Sequence, residues 1–158
     1  MNRKIFAKLL IVTSIIVFVI NSCEDDGGFH QISALEKLIH EDINDHRVAN
    51  QLNALVFQPI LFQEAKKHSM KMANNSAISD EGLDAVFDDL TSKLGGTDAA
   101  YILDVSQYAI SDSITKGIFT DEQTDAITLG TFTQAGVGVA ADDDNINYIT
   151  ILFLNIPD

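Results

Sequence analysis

Residues 148–155 read YITILFLN, and apolar side chains fall at nearly every position. In an extended chain successive side chains point to opposite faces, so this segment is apolar on both. A strand of that kind has to be buried on both sides. It follows GVGVAA at 136–141 and the polar turn DDDN at 142–145, and the three pieces read as a β-hairpin. A hairpin buried on both faces needs helices above and below it. The chain is therefore expected to be α+β: an α-β-α sandwich with a small three-stranded antiparallel sheet between helices.

The first half supplies the helices. From Ser33 to Asn50, Leu35, Leu38, Ile39 and Ile43 recur at three- and four-residue steps, with Glu36, Lys37, Glu41 and Asp42 between them. Ser33 and Glu36 are spaced as a capping box. Leu52 to Phe57 forms an irregular link, and Gln58-Pro59 prepares a second helix from Ile60 or Leu61 to Ala73. Its Leu61, Ala65, His68 and Met72 share one face. A third helix is expected from Asp80 to Leu94, ended by Gly95-Gly96. Tyr101–Ala109 reads as the remaining strand. Ser111–Phe119 reads as a short helix, and 120–133 as a short helix or loops. Neither an internal repeat nor a proline-rich linker divides the chain.

The N-terminus has a different character. Arg3, Lys4 and Lys8 precede an apolar run from Leu9 to Ile20, which suits a signal peptide and is short for a membrane span. Ile20-Asn21-Ser22-Cys23 resembles a bacterial lipobox, which implies a lipid on Cys23, the one cysteine in the chain. An uncleaved anchor or a plain secretory signal are the alternatives. The EDDGG that follows resembles the surface-export signal of lipoproteins in the Bacteroidetes. Residues 1–22 are thus expected to be a lipoprotein signal peptide, 23–32 an acidic, glycine-containing tether, and 33–158 one domain. Without the leader, 23 acidic residues face 7 basic ones. That balance argues against nucleic acid or anionic lipid headgroups as partners, since both are polyanions. The expected location is the outer membrane or cell surface, with the membrane as a partner through lipidated Cys23.

Several motifs fall in a recognisable order: IND-HR at 43–47, LFQEAKKHSMKMANN at 61–75, SDEGL at 79–83 and FTQAGVGVA at 132–140, with a strand ending in LFLN. The order resembles the CAP superfamily, the cysteine-rich secretory, antigen 5 and pathogenesis-related proteins, over residues 34 to 154. Asn44 and Arg47 match that family's first motif. Leu61, Ala65, His68, Ser69, Met72 and Ala73 match the second, Ser79 and Gly82 the third, and Phe132, Thr133, Gly136, Val137 and Gly138 the last. The resemblance implies an α-β-α sandwich with a cavity in which relatives place two histidines and two acidic residues, in some members around a divalent metal. Here the first histidine position falls on Asp80 and the second on Gln123. The glutamate position falls on Tyr101, or on Asp104 if the gap shifts, and the family tryptophan on Gly117. The fourth ligand position falls near Thr120, beside Asp121 and Glu122. The resemblance therefore implies no metal, no cofactor and no catalytic set of the family's kind.

The other candidates have simpler readings. Asp80 suits a helix N-terminus. His68 suits the packed face of its helix, and His30, His40 and His46 the surface or tether. No serine has a Gly-x-Ser-x-Gly context. Asp142-Asp143-Asp144-Asn145 lacks the glycine and distal glutamate of a calcium loop and reads as a hairpin turn. Asp112-Ser113-Ile114 resembles a short O-glycosylation site. The expected role is non-catalytic binding or structural, toward an unknown protein, glycan or lipid. The competing expectation is a divalent-cation-dependent, hydrolase-like enzyme using Asp80, Asp104 and Glu122. A third, a carrier of hydrophobic ligands, requires a pocket lined by some of Leu83, Phe87, Ile118 and Phe132.

Overall fold

The computed structural model describes residues 29–157. The expected signal peptide, Cys23 and most of the expected tether lie outside them. Along the chain come α1 (Ala34–Ala49), β1 (Val56–Phe57), α2 (Pro59–Asn75), α3 (Leu83–Leu94), β2 (Asp98–Ser106), α4 (Ser111–Thr120), α5 (Glu122–Thr128), β3 (Gln134–Ala141) and β4 (Asn147–Asn155).

The strand expected to be buried on both faces is so: Asn147 to Leu154 are all buried. Ile149, Ile151 and Phe153 join Ile39 and Ile43 of α1 and Ile114 and Ile118 of α4 in one core. Leu152 and Leu154 join Leu61 and Ala65 of α2 and Leu83 and Leu90 of α3 in the other. The period of two along β4 thus divides its side chains between two helical layers, giving the α-β-α sandwich.

The sheet differs from the expected three-stranded antiparallel one. It is four-stranded and mixed, in the order β1-β3-β4-β2, with β1 parallel to β3. A two-residue strand has no alternation to read. It exists because Val56 N–H and Gln58 N–H donate to the carbonyls of Thr133 and Ala135, both at 2.9 Å. Strand β2 runs three residues earlier than expected and pairs with β4 from Asp98↔Asn155 to Ser106↔Asn147. As an edge strand it leaves ladder groups unpaired, and two are covered locally. Asp98 and Asp104 accept from the N–H groups of Ala99 (3.0 Å) and Val105 (2.8 Å).

Ser33 and Glu36 form the expected capping box. Yet Glu36 is fully buried, not on a solvated stripe. Its Oε1 accepts from Val139 N–H at 2.9 Å and from Lys66 Nζ at 2.9 Å, while Lys66 also donates to the Val139 carbonyl. One carboxylate therefore joins α1, α2 and β3. Helix α2 lies directly on β3 because Gly136 and Gly138 have no side chains. A Cβ at Gly138 would come within 2.3 Å of the main chain of Ala65 and Lys66. Ser111 does not cap α4; it is the first helical residue, and Ile110 holds the cap position.

Candidate functional site

Asn44 and Arg47, the residues of the first motif, face inward from α1 and bond to main chain. Asn44 Oδ1 accepts from Leu55 N–H at 2.7 Å, and its Nδ2 donates to the Leu55 carbonyl at 3.1 Å. Arg47, buried at 2 % exposure, donates to the carbonyls of Asn53 (3.0 Å), Thr128 (2.6 Å), Gly130 (2.9 Å) and Phe132 (3.2 Å). The guanidinium thus gathers the link before β1 and the approach to β3. Burial lowers its pKa from the ordinary arginine value, and carbonyl oxygens stand in for a counter-ion.

The second motif behaves alike. His68 Nδ1 lies 3.1 Å from Thr150 Oγ1, and Ser69 Oγ lies 2.9 Å from the same hydroxyl and donates to the Gly138 carbonyl at 2.9 Å. Burial, and then the charge of Lys71, lowers the His68 pKa, with Asp80 opposing. His68 is a buried, hydrogen-bonded imidazole under α2.

The remaining candidates meet at the outer edge of β2. After α2 ends at Ser76, in a left-handed conformation (φ 47°), the chain turns through Ser79, Asp80, Glu81 and Gly82 (φ 93°) into α3. The helix begins at Leu83 rather than Asp80. Ser79 Oγ accepts from Glu81 N–H at 3.1 Å, and the Asp80 carbonyl from Leu83 N–H at 3.0 Å. The Asp80 carboxylate is not used as a cap. Its Oδ2 accepts from the Tyr101 hydroxyl at 3.1 Å. The Tyr101 ring stacks on Phe87, with centroids 6.0 Å apart. Burial raises the Tyr101 pKa, and the neighbouring Asp80 raises it further, so the phenol keeps its proton. Helix α5, capped by Asp121, brings Gln123 to the same place. A cleft of about 380 Å³ is lined by Ile78, Asp80, Tyr101, Leu103, Gln123 and Ile127 among others.

Three of the four family-cavity positions, Asp80, Tyr101 and Gln123, therefore share one cleft. Asp104 does not join them. On alternating β2 it points to the side of Ile102, the opposite face from Tyr101. It lines an adjoining cleft of about 250 Å³ with Gly117, Ile118, Asp121 and Thr124. Burial raises the Asp104 pKa, against the lowering effect of the Val105 N–H. Asp121 goes the other way, its pKa lowered mainly by the Thr124 N–H. Glu122 is exposed and lines neither cleft.

Two histidines read as surface residues are not free. His46 Nε2 lies 2.7 Å from Asp125 Oδ1 and its ring stacks on Phe119 at 4.0 Å, so α1 is tied to α4 and α5. His46 and Phe119 border a groove of about 390 Å³ with Asp42, Asp45 and Asp112, which shares no lining residue with the Asp80 cleft. His40 packs edge-on to Phe57 at 5.5 Å, and burial lowers its pKa despite Glu41. Of the four residues named for a carrier's pocket, Leu83 and Phe87 lie in one core and Ile118 and Phe132 in the other, so at most two of them can share a pocket within one core. Asp142 Oδ1 accepts from the N–H groups of Asp144 (3.0 Å) and Ile146 (2.9 Å), so this carboxylate closes the hairpin turn.

The cleft does not suit the zinc that some relatives hold. Zinc sites take imidazole, thiolate and carboxylate. Here the carboxylate is already bonded to a protonated phenol, and the third group is a neutral amide. Among the described residues no group of three or more His, Cys, Asp and Glu side chains is arranged to hold a metal ion. What the cleft offers is a hydrogen-bonding floor of acceptor, hydroxyl and amide between aliphatic walls.

The comparisons bear on the fold and the family. The fold is shared with an outer surface protein from Borrelia burgdorferi, at 18% identity and a TM-score of 0.68, over 82% of this chain and 100% of that one. It is shared with a cysteine-rich secretory protein from Staphylococcus aureus, at 16% identity and a TM-score of 0.64, over 76% of this chain and 38% of that one. An extracellular protein containing a SCP domain from Bacillus anthracis aligns at 22% identity and a TM-score of 0.63, over 77% of this chain and 40% of that one. No curated protein matches the sequence. No helix among the described residues is long and apolar enough to cross a membrane. The sequence pattern of the cysteine-rich secretory protein family, CAP, matches residues 40–153, from the middle of α1 almost to the end of β4. The chain belongs to the CAP family.

Proposed function

We propose that this CAP domain is displayed at the cell surface on a lipid attached to Cys23 and binds a ligand there without catalysing a reaction on it. The observation that carries the non-catalytic part is the Asp80–Tyr101 hydrogen bond at the place where relatives keep an imidazole. A carboxylate partnered by a protonated phenol supplies neither the imidazole nor the second ligand of the family's motif at that spot. His68, the one imidazole inside a family motif, is held under α2 by Thr150. Display at the surface rests on the lipobox at 20–23 and on the likeness in fold to an outer surface protein and an extracellular one. The ligand is a protein, a glycan or a lipid met outside the cell.

The hydrolase-like reading has one observation in its favour, the half-buried Asp104 with its raised pKa. It lacks the convergence it needs, since Asp80 lies in the neighbouring cleft and Glu122 in neither. Calorimetric titration of the protein with Zn²⁺, Ca²⁺ and Mg²⁺ separates the two readings. Binding weaker than about micromolar for all three is expected of neutral and already-bonded donors. Tighter binding that is lost on Asp104→Asn restores the enzyme. For the anchor, Cys23→Ala is expected to abolish labelling by a fatty-acid probe and to release the protein from membranes; persistent labelling contradicts it.

A further inference from the structure

We infer that the face formed by Phe29, Ile32, Phe57 and Ile60 rests on the lipid bilayer that holds the Cys23 anchor. The inference depends on the anchor proposed above and adds to it an orientation.

The segment before α1 is part of the domain. His30 N–H donates to Gln63 Oε1 at 2.9 Å, and Gln63 Nε2 donates back to the His30 carbonyl at 2.9 Å. The main chain at His30 is thus clipped to α2, one turn beyond Ile60. Two residues later Ile32 enters an apolar groove of about 320 Å³, shared with Ala34, Lys37, His40 and Phe57. Phe29 is 91 % exposed, Ile32 47 % and Ile60 42 %, and each lies within three residues of His30 or Gln63 along the chain; Val105, Tyr108 and Ile110 make a second exposed apolar group at and after the end of β2. Solvated domains rarely gather such residues without a surface to cover them.

The chain length decides which surface that is. From Cys23 to Phe29 there are six residue steps, which at full extension reach only about 20 Å. The apolar face is where the chain enters the domain, so a lipid on Cys23 holds this face within one short tether of the bilayer. The charges permit contact. In a chain of net charge −13, the lysines beside this face, Lys37, Lys66 and Lys67, match the acids Glu36, Glu41 and Glu64. Lys66 and Lys67 are in fact paired with Glu36 and Glu64 at 2.9 and 2.8 Å. The acidic runs at 88–89 and 142–144 belong to α3 and to the β3–β4 turn. Burial also keeps His40 neutral near pH 7, so the groove itself stays uncharged on that wall.

The strand order then gives the contact a use. β1 and β2 are the opposite edges of the sheet. The groove lies at the β1 edge, and the cleft of Asp80, Tyr101 and Gln123 at the β2 edge. Seating the β1 edge on lipid turns the cleft away from the membrane, toward ligands in the medium.

The chain contains no tryptophan, so single tryptophans report their own surroundings. Full-length lipidated protein carrying Ile32→Trp, Ile60→Trp or Tyr108→Trp is reconstituted into phosphatidylethanolamine/phosphatidylcholine vesicles, which carry no net charge, with brominated acyl chains. All three positions are exposed, and Tyr108 follows β2 at the far edge. Quenching is expected to be roughly twofold or more stronger for Ile32→Trp and Ile60→Trp than for Tyr108→Trp, as for side chains seated at the acyl boundary. Protein that floats with the vesicles but shows equal quenching at the three positions overturns the orientation and leaves the anchor standing. Protein that stays soluble with an unmodified Cys23 by mass spectrometry overturns the anchor, and the orientation with it.

Discussion

Arg47 and Asp80 are both charged residues at positions matched by family motifs, and the fold treats them in opposite ways. Arg47 is sealed inside and gives its donors to four main-chain carbonyls from two distant segments. Asp80 sits on an exposed turn with one side-chain partner, the Tyr101 hydroxyl. The same division holds across the chain. Asn44, His68, Ser69, Gly136 and Gly138 keep the family's residue types, and each is a joint between a helix and another segment. Asp80, Tyr101 and Gln123, the positions to which the resemblance assigned the family's cavity, each line the cleft. A fold requires its joints because they satisfy buried polar groups or allow close backbone approach. It does not require any particular chemistry at a solvent-facing edge.

If this division is right, the largest effect comes from Arg47. Arg47→Met is expected to destabilise the protein by about 4 kcal/mol, since bonds to a charged donor are worth roughly 1.5–3 kcal/mol each and the buried carbonyls are left bare. Urea unfolding measures it, and a loss below about 1 kcal/mol would mean that water reaches those carbonyls and Arg47 is no joint. Gly138→Ala comes next, at about 3 kcal/mol, because the added Cβ meets helix main chain at 2.3 Å rather than a side chain able to move. An unchanged stability would show that α2 can lift off β3 freely.

The joints were more legible in the sequence than the joining. The capping box at Ser33–Glu36, the helical face of α2 and the two-faced β4 follow from spacing alone. That Glu36 turns inward to meet Lys66 and Val139 does not, because its partners stand 30 and 103 residues away. Strand β1 was hidden for a similar reason: two residues carry no period, and only their bonds to Thr133 and Ala135 define them. His46 gave no local sign of Asp125. At the cleft, the motif order pointed to Asp80, Tyr101 and Gln123, and all three line it. It left Tyr101 and Asp104 as alternatives, and the alternation of β2 sends them to opposite faces and adjoining clefts.

Acid sharpens the same contrast with a smaller effect. Burial lowers the pKa of both His68 and His40 from an ordinary value near 6.5. As pH falls through 6.5 the unfolded chain takes up protons that the folded imidazoles refuse, so stability is full above that pH and is lost below it. Asp104, with a raised pKa, acts oppositely, and only nearer its ordinary value of 3.8. The free energy of unfolding is therefore expected to fall between about pH 7.5 and 5.5. His68→Gln is expected to flatten that slope while keeping a hydrogen bond to Thr150. An undiminished slope in the variant would move the acid sensitivity away from this joint.

The smallest effect belongs to the cleft. Tyr101→Phe and Asp80→Asn remove or weaken a single bond at an exposed turn, and each is expected to change stability by less than about 1 kcal/mol. A larger loss would make the Asp80–Tyr101 pair another joint and remove the ground for reading it as a binding floor. A small one leaves three neighbouring residues, at the β2 edge of the sheet, on which the joints do not depend. There the three residues can change without disturbing Arg47, whose partners are the carbonyls of Asn53, Thr128, Gly130 and Phe132. The freedom has a structural cause: β2 is an edge strand, so its outer side chains answer to whatever the protein meets, whereas those of β4 answer to two cores at once.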